Sequence, residues 1–300
     1  MRRSFLLLSV VFLSVSCQKA ETEPPVQAQP ESAPTTTPVA GGKPSGATPA
    51  AASRELIHFP EADQFLPADW IADPINAKTK PVEAASREAA RKIVEQALAK
   101  YPESLLNRFL EGVYLVGSLQ FYDVSYGGTY MANAKRVVLV YRPSFNARGF
   151  EQRFHHEFSS LLLKKNEARF EEERWLSANE KTFVYRAPGV IEEQSGDKSE
   201  ATRVLEAEQK KTGGSGSTLL QINTELMKQG FLTAYNQVSL EQDLNETAAH
   251  LFTNPELWTY CQKYPRLDQK VDTLIDFYRD LDPSFDRLYF RTLTAPPTAE

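Results

Sequence analysis

Cysteine and histidine are both scarce in this chain: its 300 residues include two cysteines, Cys17 and Cys261, and four histidines. Two thiols so far apart, in segments of different character, exclude a disulfide framework. No long basic run is present and the formal net charge is -5, which excludes the electrostatic footprint of a nucleic-acid binder. Apolar runs long enough to cross a bilayer are missing too. The apolar run at the amino end, Phe5 to Val15, is too short for a comfortable span. No internal repeat occurs. What is present, 41% hydrophobic and 24% charged residues, suits a soluble globular body of one large or two small domains.

Arg2 and Arg3 ahead of Phe5–Val15 read as a secretory signal. The run ends in Leu13-Ser14-Val15-Ser16-Cys17, which resembles the lipobox of bacterial lipoproteins, with Ser14 where an aliphatic residue is usual and Leu13 one place earlier. Cys17 is therefore the candidate lipidation site after a signal peptide over 1–17; a plain secretory signal cut nearby is the alternative. Acyl chains there would anchor the protein to the membrane at about 0.8 kcal/mol per buried methylene. Gln18, rather than an aspartate, favours the outer membrane of a bacterial envelope. Residues 18–55, rich in Pro, Thr, Ala, Glu and Gln, read as a disordered tether, and 56–295 as the folded domain.

Within the domain, Val82, Ala85, Ala89, Ile93 and Ala97 lie on one stripe and predict a helix over Pro81–Lys100. Gly117–Tyr122 and Arg136–Tyr141 are β-rich, with Gly127-Gly128-Thr129-Tyr130 between them; Gly127-Gly128 reads most simply as a turn, the alternative being that it shapes the substrate edge. Phe150, Phe154, Phe158, Leu161 and Leu162 predict a helix over Gly149–Lys165, with His156, Ser159, Ser160 and Leu163 on its other side, so that it is covered on both faces. A polar insertion near 190–217 reads as a charged helical piece and a Gly-Ser run in a mobile surface loop. Helices follow at Leu219–Gln229, Leu240–Phe252 and Leu267–Asp280, the first two separated by a turn at Gly230–Tyr235. Cys261 reads as a core thiol, and His58 as unrelated to any site.

Chemistry concentrates in two of these helices. Phe154-His155-His156-Glu157-Phe158 holds the first half of an H-E-x-x-H pattern, in which two imidazoles four residues apart grip zinc and the glutamate activates water. Ser160 stands where the second histidine belongs. On the later helix, Asp243, Glu246 and His250 line up opposite the apolar stripe of Leu240, Leu244, Ala248 and Leu251. Such a helix can complete a zinc site with a carboxylate. Glu157 would then be the general base, and a nearby hydroxyl such as Tyr235 would stabilise the oxyanion.

Three stretches together resemble the candidate zinc-binding metallopeptidase lipoproteins of bacteria, distant relatives of lethal-factor-type zinc peptidases. They are Gly117–Tyr130, Phe154–Phe158, and Gly230-Phe231-Leu232-Thr233-Ala234-Tyr235 ahead of Gln242-Asp243-Leu244-Asn245-Glu246. The resemblance implies an α+β, zincin-like fold: a small sheet packed on an active-site helix, with a mainly helical C-terminal part. It also implies Zn²⁺ and a peptide or protein substrate, with His156 as first ligand, Glu157 as base and Tyr235 as the transition-state tyrosine. Glu246 or Asp243 would supply the acidic ligand. Ser160 and Gln242 depart from the pattern, and His155 and His250 are the available replacements. The rival reading is a catalytically inactive zincin-like lipoprotein that keeps the groove and binds a peptide or protein by strand addition.

Overall fold

The computed structural model describes residues 55–187, 198–213 and 218–294. The signal peptide, Cys17 and the tether up to residue 54 lie outside the described residues, as do 188–197 and 214–217 of the insertion and the domain's last residue.

Six strands form one mixed sheet: β1 (Ile57–His58), β2 (Lys78–Pro81), β3 (Gly112–Phe121), β4 (Val124–Tyr126), β5 (Gly128–Met131) and β6 (Arg136–Val140). Ten-residue β3 is its spine. The first half of β3 pairs in parallel with β1 and β6, and its second half pairs antiparallel with β2 and β4. β5 pairs antiparallel with β6 and ends the path β1-β3-β6-β5. Period-two alternation decides which face each side chain serves. Val113, Leu115, Val137 and Leu139 point into the main core, whereas Val116, Val138 and Val140 face a second cluster with Leu66, Ile75 and Ala77.

The α-helices are α1 (Ala68–Ile71), α2 (Arg87–Leu98), α3 (Glu103–Phe109), α4 (Ala147–Asn166), α5 (Glu172–Ser177), α6 (Glu200–Thr212), α7 (Thr224–Lys228), α8 (Leu240–Thr253), α9 (Leu257–Lys263), α10 (Pro265–Leu281) and α11 (Arg287–Leu293). The fold is thus mixed α+β, with a small sheet and a helical C-terminal part. The Asn146 side chain caps α4 by accepting the Gly149 N–H at 2.6 Å, and that of Ser239 caps α8 by accepting the Gln242 N–H at 3.2 Å. α4 runs under β5 and β6 and packs along α8. Phe150, Phe154, Phe158, Leu161, Leu162 and Leu163 are all fully buried, so both sides of this helix are covered.

Several expected elements end elsewhere, for local reasons. Gly127–Tyr130 is not a simple turn, because Gly128–Met131 joins the sheet as β5. The helix expected from Pro81 begins at Arg87, residues 78–81 having paired with β3. The helix expected over Leu219–Gln229 is confined to Thr224–Lys228, capped by the Asn223 side chain and stopped before Gly230, whose φ of 93° lies in the left-handed region. The helical piece of the insertion is no free surface loop. α6 packs on β4, where Tyr126 OH bonds Thr202, and the Gln209 amide donates to Ser125 O at 2.6 Å and accepts its N–H at 3.3 Å.

α8 is fastened to α10 by an ion pair of which both members are wholly buried, Lys270 Nζ donating to Asp243 Oδ2 at 2.6 Å. Tyr185 OH at 2.6 Å and Trp175 Nε1 at 3.0 Å donate to the same oxygen, and Asn236 Nδ2 donates to Oδ1 at 2.8 Å. Removing one partner of such a pair leaves an uncompensated buried charge. Lys270→Met is therefore expected to lose about 3–5 kcal/mol in equilibrium urea unfolding. A loss below about 1 kcal/mol, the range of an exposed pair, would contradict this burial.

Candidate functional site

α4 and α8 meet at His156. Its Nδ1 lies 3.0 Å from Glu246 Oε1 and its Nε2 lies 3.1 Å from Gln242 Oε1. Gln242 and Glu246 are four residues apart on α8 and so share one face, which clamps the imidazole between them. Burial acts to lower the proton affinity of His156, but the Glu246 hydrogen bond and the charges of Glu157, Glu246 and Glu241 outweigh it and hold the ring above its ordinary range. An oxygen at each ring nitrogen favours the protonated imidazole, which can donate from both. The Tyr235 ring lies alongside, 6.2 Å between centroids at 27°.

Glu157 points to the other side of the same turn. Among the described residues its carboxyl makes no hydrogen bond or ion pair. Burial pushes it up to about 7, the His156 charge opposing this and Glu241 adding to it. The strand above comes close because residue 128 has no side chain. A Cβ there would sit 2.8 Å from Glu157 Oε1 and 2.9 Å from the Val138 carbonyl oxygen. Ser160, one turn further along α4, accepts a hydrogen bond from Asn245 Nδ2, and Asn245 Oδ1 has no partner among the described residues.

Two cavities, of about 380 and about 510 Å³, open on either side of this point. Both are lined by Tyr126, Gly128, His156, Glu157 and Tyr235, so they form one groove beside β5. Glu246 and His250 line the smaller cavity, and Ser160 and Gln242 the larger. His250, nearly buried and pushed down by that burial, has its Nδ1 3.3 Å from Asn254 Nδ2.

Two of the expected metal ligands belong to the core instead. His155 is fully buried on the opposite side of α4, with Nδ1 2.8 Å from Tyr101 OH, Nε2 3.4 Å from Glu151 Oε1, and its ring stacked at 4.5 Å on Phe252. Asp243 has both oxygens taken by the Lys270 network. For the remaining donors zinc is a poor fit. His156 has an oxygen at each nitrogen, Gln242 is a neutral amide, and the Ser160 hydroxyl is held by a second amide. Among the described residues no three His, Cys, Asp or Glu side chains gather closely enough to hold a metal ion.

Sequence reasoning passed over Arg153. It lies one helical turn before Glu157 and lines the smaller cavity. The guanidinium packs against Gly127, where a Cβ would fall 1.7 Å from one of its nitrogens, and its Cζ is 4.7 Å from the Phe145 ring centroid. The i to i+4 relation to Glu157 was the available signal.

No protein-family model and no curated protein matches the chain. Among solved structures it is similar to a candidate zinc-binding metallo-peptidase from Bacteroides caccae, at 16% sequence identity and a TM-score of 0.45, over 74% of this chain and 79% of that one. At that identity and score the likeness leaves function to the residues described above.

Two of the perturbed acid–base groups on α4, Glu157 and His155, have opposite linkage to stability. Glu157, at about 7 folded against 4.5 ordinarily, holds a proton in the folded state that the unfolded chain has released. Its contribution is present below pH 4.5 and is lost as pH rises through about 7. His155, at about 4 folded against 6.5 ordinarily, makes stability rise with pH across that lower window. The two act in opposite directions over overlapping pH windows, so a difference measurement is needed. The stability of Glu157→Gln relative to native should improve from pH 4.5 to about 7, by on the order of 2 kcal/mol, and then level off. A pH-independent difference in chemical denaturation would contradict the assignment.

Proposed function

We propose that this chain is a zincin-like envelope lipoprotein, anchored through Cys17 to the outer membrane, that binds an extended peptide or protein segment along β5 and does not hydrolyse it through zinc. The observation that carries this reading is the clamp on His156. With Gln242 and Glu246 on its two nitrogens and Ser160 in place of a second imidazole, the groove keeps its shape while its donors are used up internally. The terminal position of β5 in the sheet and the groove beside it suit strand addition, in which main-chain bonds supply affinity and flanking pockets select side chains.

Metal content tests this directly. After exposure to zinc and desalting, the native chain should retain substoichiometric metal. Ser160→His combined with Gln242→Glu, which restores an imidazole and a carboxylate, should retain about one ion per chain. Stoichiometric zinc on the native chain would overturn the reading.

A metal-dependent peptidase is the second reading. It is favoured by one observation, the Glu157 carboxyl held at about 7 beside His156 and under Gly128. That reading requires peptide cleavage that Glu157→Gln abolishes.

The groove itself is tested at Gly128. An alanine methyl there meets Glu157 and the Val138 carbonyl and forces β5 outward. Displacement of the strand should weaken peptide binding about tenfold or more in fluorescence anisotropy. Unchanged affinity would place the peptide elsewhere.

A further inference from the structure

Arg153 lines the smaller cavity, and among the described residues its guanidinium makes neither a hydrogen bond nor an ion pair. It is nonetheless held in place, with the Gly127 backbone on one side and the Phe145 ring on the other. Glu157, one turn along α4, and Glu246 act on it through their charge without a direct bond, which leaves its donors open to a ligand. We propose that the ligand of this groove presents a carboxylate to Arg153, which rests on the groove reading above and adds a chemical class to it: a peptide bearing an acidic side chain or a free carboxyl terminus.

Two features support this. A guanidinium offers five donors in a rigid planar fork that matches a carboxylate in two parallel bonds, and fixing the fork beforehand removes part of the ordering cost. Second, the same cavity is lined by Ser144, Asn146 and Gly149 at the first turn of the 20-residue α4, whose dipole favours negative charge there.

Of the two acids lining the cavity, Glu246 is committed to His156, and Glu157 makes no hydrogen bond or ion pair to Arg153, so the guanidinium fork is not occupied by either.

The test uses the full chain in detergent and three fluorescently labelled alanine-rich hexapeptides. One is neutral with an amidated end, one is amidated with a central glutamate, and one has no acidic side chain but a free carboxyl terminus. At least one carboxylate peptide should bind about tenfold or more tighter than the neutral one, and which of them does so identifies the source. Arg153→Gln should bring all three to a common affinity, Arg153→Lys should restore part of the preference, and Gly127→Ala, which displaces the guanidinium, should reduce it. Equal binding of charged and neutral peptides by the native chain, or a preference that survives Arg153→Gln, would overturn the proposal.

Side-chain NMR of Arg153 during titration with N-acetylglutamate amide separates the carboxylate site from the peptide groove. A saturable shift at Arg153 without any peptide binding would sink the peptide groove and keep the carboxylate site. Peptide binding with no shift would do the reverse. Silence in both would end both.

Discussion

A helix buried on both sides must find partners inside the protein for every polar group it carries, because a buried polar atom without one costs more than the bond it would have made. α4 is such a helix, and this constraint sorts its residues. His155 bonds Tyr101 and Glu151; Ser159 bonds the His155 carbonyl and Tyr278; Ser160 bonds Asn245; His156 bonds Gln242 and Glu246. Arg153 and Glu157 make no hydrogen bond or ion pair among the described residues, and both line the groove under Gly127 and Gly128. The site is thus defined by what the core does not satisfy.

The same constraint explains how α4 and α8 are tied together. His156 bonds Gln242 and Glu246, and Ser160 bonds Asn245, so side-chain hydrogen bonds join the two helices. The Asp243 network supports this arrangement from behind. By holding Lys270, Tyr185, Trp175 and Asn236 together it fixes the start of α8 and, through Asn236, the turn that carries Tyr235. An aspartate that resembles a ligand in sequence therefore serves the geometry of its neighbours.

Helical period and turn chemistry made much of this legible. The stripe of phenylalanines placed α4, the leucine stripe placed α8, and the pairing of His156-Glu157 with Glu246 and Tyr235 pointed to one cleft. Two kinds of information were out of reach. Whether a histidine or aspartate faces a cleft or the core depends on partners such as Tyr101, Phe252 and Lys270, which lie far from it along the chain, and a helical wheel does not contain them. Gly128 reads as a turn residue until the helix beneath β5 is in view; only then does the missing side chain become a requirement of close packing. Arg153 was hidden for a related reason, since an arginine on a helix is ordinarily a solvated one and only Gly127 and Phe145 make it otherwise.

The account stands or falls on the state of one imidazole. Nitrogen-15 NMR of His156 in the full-length protein at pH 6, recorded before and after addition of excess zinc, addresses it most directly. If the ring is clamped between Gln242 and Glu246, both nitrogens carry protons and zinc leaves their signals where they were. Loss of one proton on zinc addition, with that nitrogen moving to a metal-bound position, would contradict the clamp and return the site to metal chemistry.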